Sequence, residues 1–371
     1  MNFDFSEDQR FIQSQAREFL QEQCPPEQVR LVLESDRTHH QDLWRQAAEL
    51  GWTATAIPEA YGGLGLGHLE LCLLAKELGR SLAPIPFASS IYLAATALLQ
   101  AGSETQKQRW LPRLAAGDCV ATLALAEGPG SFTAGQVTAR VDRGRLEGGK
   151  LPVLDGGCAD LAIVAAREKG EERHSLFLVE LAAAGVERRP LTGLDPSRKI
   201  AALHFRGAPA QRLGEAGQGP ELVEQIFHRA AVLLAFEQVG GTEACLDMAR
   251  DYTTNRYAFG RPVASFQAIK HKLADMFVGL ELARSNAYYG AWALSTEAAE
   301  LPLAAATARV SASDAYSWAA QENIQAHGGM GFTWEFNCHL HYRRSQLLST
   351  LLGGQPVWKE RIASLLLAEP A

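Results

Sequence analysis

The sequence predicts an α+β protein in which two helical segments flank a small β domain. Three observations carry this expectation. Apolar residues recur with helical period up to about residue 118, give way between Cys119 and about residue 215 to short alternating runs punctuated by glycine, and regain helical period from Glu221 onward. The expected segments are 1–118, 119–215 and 216–371. With 371 residues, 47% of them hydrophobic and 21% charged, the chain can bury the cores of two or three packed units.

The first helix is read from the spacing of Phe11, Ile12, Ala16, Phe19 and Leu20, with Ser6 as its N-cap and acidic residues placed to favour the helix dipole. QDLWRQAAELGW and LELCLLAKELGRSLAP repeat the pattern, and IPEAYGGLGLG between them has the glycines of a tight loop. The β segment is read from VATLALAE, QVTARVD, RLEGGKLPVL, DLAIVAAR, HSLFLVEL and AALHFRG. Beyond it, long alanine- and leucine-rich stretches predict a helical bundle of four or five elements. Several of these helices are apolar on more than one face, so they are expected to pack against another subunit as well as in their own bundle.

A formal net charge of -7 provides no basic stripe for nucleic acid or an anionic bilayer, and neither is an expected partner. Cys24, Cys72, Cys119, Cys158, Cys245 and Cys338 form no CxxC pair and no metal-ligand spacing, which reads as free buried thiols and no metal site. The opening MNFDFSEDQR is acidic where a secretory signal needs a basic start, and no apolar run reaches membrane-spanning length. A cytoplasmic location is expected.

Two stretches carry recognisable chemistry: RYAFGRPVASFQAIKHKLADM from Arg256 and QAHGGMGFTWE from Gln325. Arginine offers a fixed fork of donors for pyrophosphate oxygens, phenylalanine a flat apolar face for a nucleotide ring, and glutamine both a donor and an acceptor. Glycines let backbone amides approach a phosphate closely. Together with IPEAYGGLGLG, these stretches resemble the PExYGGxG, RxxFGxP and QxxGGxG segments of the acyl-CoA dehydrogenase family. The resemblance implies a helical N-terminal domain, a β-barrel-like middle domain, a C-terminal helical bundle and an FAD cofactor. It also implies that Arg256, Phe259 and Gln267 reach onto the ADP part of a neighbouring subunit's FAD, and that Gln325, Gly328, Gly329 and Gly331 form a turn against it. The FTWE ending and short length resemble a bacterial branch whose subunits assemble as heteromers on bulky acyl-CoA thioesters, including steroid side chains. The implied partners are an acyl-CoA substrate, further subunits in a tetramer and an electron-transfer flavoprotein as acceptor.

The sequence departs from that family where the reaction needs a base. A carboxylate must remove the substrate's α-proton while the β-hydride passes to the flavin. Of the family's two base positions, one aligns with Leu352, or Gly353 if the register slips, and the other with Ala230, with Ala231 in place of the arginine that follows it. Near the flavin ring, Ala126 replaces a threonine, Pro152 a tryptophan and Leu154 a hydroxyl residue, while Ser131 keeps a polar group. No residue of this chain is assigned as the base. Glu237 lies on about the same helical face as Ala230 but roughly 10 Å along the axis, and His271 and His327 are read as polar packing residues. The primary expectation is a base-lacking subunit that completes a partner's FAD site. Two alternatives stay open: a self-sufficient homo-oligomer using a relocated carboxylate such as Glu237, and a flavin-free acyl-CoA-binding or scaffold relative.

Overall fold

A computed structural model describes residues 5–368; the extreme ends of the first and last predicted segments, residues 1–4 and 369–371, lie outside them. In chain order the helices are α1 (Glu7–Gln23), α2 (Pro26–Leu33), α3 (Gln41–Glu49), α4 (His68–Arg80), α5 (Thr96–Ala101) and α6 (Glu104–Ala115). After the strands follow α7 (Gly219–Asn255), α8 (Gln267–Ser295), α9 (Leu301–His327), α10 (Cys338–Thr350) and α11 (Gln355–Ala368). The main sheet comprises β1 (Ala121–Ala124), β2 (Arg140–Asp142), β3 (Arg145–Leu154), β4 (Leu161–Glu168), β5 (His174–Glu180), β6 (Val186–Leu191), β7 (Ile200–Pro209) and β8 (Gln211–Leu213). A two-stranded hairpin, β9 (Tyr257–Ala258) and β10 (Arg261–Pro262), joins α7 to α8. This is the helix, sheet, helix order expected from the sequence.

The chain packs as two compact units that interleave along the sequence, one drawn from the residues up to Val29, His68–Ala83 and everything from Ala231 on, the other from Arg30–Gly67 and Pro84–Ala230. In the first, α1 starts with a reciprocal cap: Gln9 N donates to Ser6 Oγ at 3.2 Å, and Ser6 N to Gln9 Oε1 at 3.0 Å. Helices α4 and α7 cross through two glycines. A Cβ on Gly79 would stand 1.9 Å from the carbonyl oxygen of Glu237, and one on Gly240 would stand 1.9 Å from that of Lys76. The close crossing brings Lys76 and Arg80 to 2.8 and 3.2 Å from Glu243, which Arg17 of α1 also reaches at 3.1 Å. Burial opposes ionisation of Glu243, but these cations prevail and hold its carboxyl at about 2. The part of α7 from Ala231 on and helices α8 to α11 complete the unit, and small buried residues of α9 such as Ala305, Ala308, Ala312 and Ala319 let α8 and α10 pack closely on it.

In the second unit the strands run in the order β6-β7-β3-β2-β4-β5-β8, with β1 parallel to β4. Ala210 alone separates β7 from β8, which stand far apart in that order, so the sheet must curl upon itself. Strands β4 and β5 are buried along nearly their whole length, as their unbroken apolar runs require. The IPEAYGGLGLG segment folds back tightly, and a Cβ on Gly63 would lie 1.9 Å from the carbonyl oxygen of Ile57. All six cysteines are free thiols, five of them buried. Among the described residues no helix is long and apolar enough to cross a membrane, and no group of His, Cys, Asp or Glu could hold a metal ion.

Candidate cofactor-gripping site

The first motif builds a projecting hairpin. Arg256 follows the last residue of α7, its N–H donating to Tyr252 O at 2.8 Å while its carbonyl accepts from Val263 N at 2.8 Å. At the tip, Phe259 and Gly260 both have positive φ, 53° and 79°, the backbone of a type I′ turn. That conformation is uncommon for an aromatic residue, yet the Phe259 ring is 95% exposed and gains almost nothing from burial. Beneath it, Phe266 meets the Phe259 ring edge-on at 6.2 Å and carries the Arg261 guanidinium 4.0 Å above its face. Gln267 then opens the 29 residues of α8, placing an exposed side chain beside the free N–H groups of a long helix.

The second motif ends α9. Gln325 is exposed on the last turn, and its carbonyl accepts from the N–H of Gly328, whose φ is 59°. The glycines divide by role. A Cβ on Gly331 would sit 2.4 Å from the carbonyl oxygen of Ile324, so this chain's own packing demands a glycine there. At Gly328 and Gly329 a Cβ would meet nothing within 4 Å, so an external group can approach the backbone.

Rings and an ion pair bring the two motifs to one end of the bundle. Tyr252, one turn before Arg256, stacks on His327 with centroids 4.1 Å apart and planes 23° apart, and Phe336 meets both rings at 5.8 and 5.7 Å. Lys272 of α8 pairs with Glu322 of α9. The result is an outward-facing set with a cation, an aromatic tip, two amides, a helix N-terminus and open glycine backbone. That set suits a dinucleotide's phosphates and rings. His327 is 6% exposed, whereas His271 lies exposed on α8.

The positions aligned with a base are apolar and packed. Ala230 and Ala231 are fully buried in α7. Leu352 is 8% exposed and adopts a φ of 64° in the turn after α10. That turn is fixed by Arg309, a residue the sequence reading passed over. Arg309 Nη2 donates to the carbonyls of Leu348 and Leu351, the latter at 2.7 Å, and Nη1 to Gln238 Oε1 at 2.6 Å and Ser313 Oγ at 3.0 Å. Burial lowers its pKa to about 10 against the pull of Glu237. The only sequence signal was a charged residue inside the alanine-rich stretch AAATARVSAS. Glu237 itself is 3% exposed and lies 3.7 Å from Arg344, whose other nitrogen donates to Leu82 O at 3.1 Å. Such a paired interior carboxylate is poorly placed to take a proton from a substrate.

In the second unit, Ala126 is half-buried and accepts from Leu151 N at 2.9 Å, Pro152 is exposed and Leu154 is buried. Ser131 is exposed and, with Ala126, lines a pocket of about 270 Å³ formed within the Leu125–Thr138 segment. The sequence reading also missed what closes this segment. Glu127 accepts from Thr138 N at 2.8 Å, Thr138 Oγ1, Ala139 N at 3.0 Å and Lys150 Nζ at 2.7 Å.

The family described as acyl-CoA dehydrogenase, N-terminal domain, matches residues 6–118, and acyl-CoA dehydrogenase, C-terminal domain, matches residues 217–367. The chain belongs to the acyl-CoA dehydrogenase family. Among its relatives, acyl-CoA dehydrogenase IpdE2 of Mycobacterium tuberculosis is 32% identical over 349 residues, covering 93% of each chain. Among solved structures, the ChsE4-ChsE5 complex of Mycobacterium tuberculosis superposes with a TM-score of 0.90 at 28% identity over the full length of both chains. A variant of the Tcur3481-Tcur3483 steroid ACAD gives 0.88 at 29% identity, covering 97% of this chain and 98% of that one. Acyl-CoA dehydrogenases are FAD-dependent oxidoreductases, and the exposed set at the bundle end is chemically fit for that dinucleotide.

Proposed function

We propose that this chain is the base-lacking subunit of a heteromeric acyl-CoA dehydrogenase and completes the FAD site of a second, related polypeptide. The observation that carries this reading is a split. The exposed bundle end keeps Arg256, Phe259, Gln267, Gln325 and open backbone at Gly328 and Gly329, whereas Ala126, Pro152, Leu154, Ala230 and Leu352 supply neither a base nor a ring-stacking group. When bound, FAD supplies the acceptor for the substrate's β-hydride. In this reading Arg256 and the α8 N-terminus bind pyrophosphate, Phe259 covers a nucleotide ring, and the carboxylate that takes the α-proton belongs to the partner. Likeness to a steroid ACAD supports a bulky CoA thioester as substrate; the acyl-CoA dehydrogenase family resemblance adds an electron-transfer flavoprotein as acceptor, with the cytoplasm as the place of action. The ChsE4-ChsE5 complex supports a mixed assembly, and the proposed stoichiometry is the tetramer that the family resemblance implies.

The test is to purify the chain alone and with co-expressed acyl-CoA dehydrogenase partners, then record flavin absorbance and its bleaching by acyl-CoA. Flavin and bleaching are expected only in the mixed assembly. Both in the lone chain would sink the proposal.

A further inference from the structure

We propose that His327 is a positioning residue that couples the hairpin of the first motif to the glycine turn of the second, so that the two halves of the cofactor grip act as one; this rests on the reading just given. Among the described residues, no hydrogen bond, ion pair or ring contact joins Arg256, Phe259 or Gln267 to Gln325. Arg256, Phe259 and Gln267 belong to the α7–α8 junction, while Gln325, Gly328 and Gly329 belong to the end of α9. Besides the Lys272–Glu322 ion pair between α8 and α9, the link is the residue immediately before Gly328. His327 stacks on Tyr252, four residues before Arg256, at 4.1 Å, and Phe336 closes the third side at 5.7 Å.

The ring is also fixed in rotation. A carbonyl can only accept, so the 2.8 Å contact between His327 Nδ1 and Asn323 O requires a proton on Nδ1. Asn323 is fully buried and bonded to Met248 of α7 through its side chain, so the anchor of the imidazole is tied to the helix that carries Tyr252. A histidine that only filled space would need neither the parallel stack nor the backbone anchor. The two together set the height of the glycine turn against the hairpin, the dimension on which simultaneous contact with one dinucleotide depends.

The experiment measures FAD affinity by reconstitution of the flavin-stripped, flavin-bearing assembly that contains this chain, alongside its melting temperature. Variants are Arg256→Ala, His327→Ala, His327→Phe and Tyr252→Leu. Losing one ring stack is expected to weaken FAD binding roughly five- to tenfold in His327→Ala and in Tyr252→Leu. His327→Phe, which keeps a ring over Tyr252, is expected to recover affinity to within about threefold of wild type. Combining His327→Ala with Arg256→Ala should cost less than the product of the single effects, because both act through one grip. Wild-type affinity in His327→Ala beside a clear loss in Arg256→Ala overturns the positioning role and leaves the functional reading standing. Undiminished affinity in both overturns the reading itself. If His327→Ala does not fold, His327→Phe and Tyr252→Leu decide: equal losses in a folded protein overturn the coupling through the stack.

Discussion

Single residues in this protein carry uneven burdens. The Lys150 side chain is wholly buried, and its ammonium is met by Glu127 and by Leu125 O at 2.9 Å, whereas Glu127 keeps 15% side-chain exposure and three further donors. Glu127→Ala therefore strands a buried cation and is expected to destabilise by about 3 to 5 kcal/mol, while Lys150→Met leaves a satisfied carboxylate and is expected to cost about 1 to 2 kcal/mol. Urea unfolding of both variants checks the order; a costlier Lys150→Met would contradict it. His174 carries the acid sensitivity of the same unit. Burial, helped by Lys150, pushes its pKa from 6.5 to about 4. The folded state thus binds this proton less readily than the unfolded chain, so stability is intact above about pH 6.5 and falls as the pH drops toward 4. The loss attributable to this group is about 3 kcal/mol. The fall in denaturant midpoint from pH 7 to 4.5 should be smaller in His174→Gln than in wild type; equal falls would count against it.

Elements show which signals a sequence carries. Strand β3 is legible to the residue in RLEGGKLPVL, and β4 and β5 announce themselves as unbroken apolar runs because both their faces are covered. Strand β6 is not legible: its sequence VERRPL is largely exposed, with charges and a proline suited to the sheet edge it occupies, and it owes its conformation to pairing with β7. The π-helical stretch Ala88–Ala95 is equally silent, being apolar and wholly buried with no amphipathic period to read. At the candidate site, the residue types and spacing of both motifs stood in the sequence. The Tyr252–His327 stack and the Arg309 clamp did not, because they join residues dozens of positions apart. The glycine turn separates binding from folding. Gly329→Ala, with nothing within 4 Å of the new methyl group, should leave the melting temperature unchanged and reduce FAD retention in the assembly, whereas Gly331→Ala should destabilise the fold against the Ile324 carbonyl 2.4 Å away. Thermal melts and flavin content measured together check both; equal melting temperatures for the two variants would refute the division.

At the scale of the whole molecule, the first unit exposes a stripe on α8, where Phe277, Val278 and Leu282 are 53%, 55% and 61% accessible. The stripe continues on the helix that opens with Gln267, so a partner that shares the cofactor would cover it. Leu282→Lys is expected to shift the assembly toward smaller species in size-exclusion chromatography without lowering the melting temperature of the separated chain; an unchanged elution profile would place the interface elsewhere. The Phe259 tip bears on the same matter from another side. A bare aromatic ring on a left-handed turn is an invitation to proteases and to self-adhesion for as long as nothing covers it. On the proposed heteromeric reading, surplus of this polypeptide over its companion is expected to be lost to degradation or aggregates, which would tie the supply of one chain to that of the other.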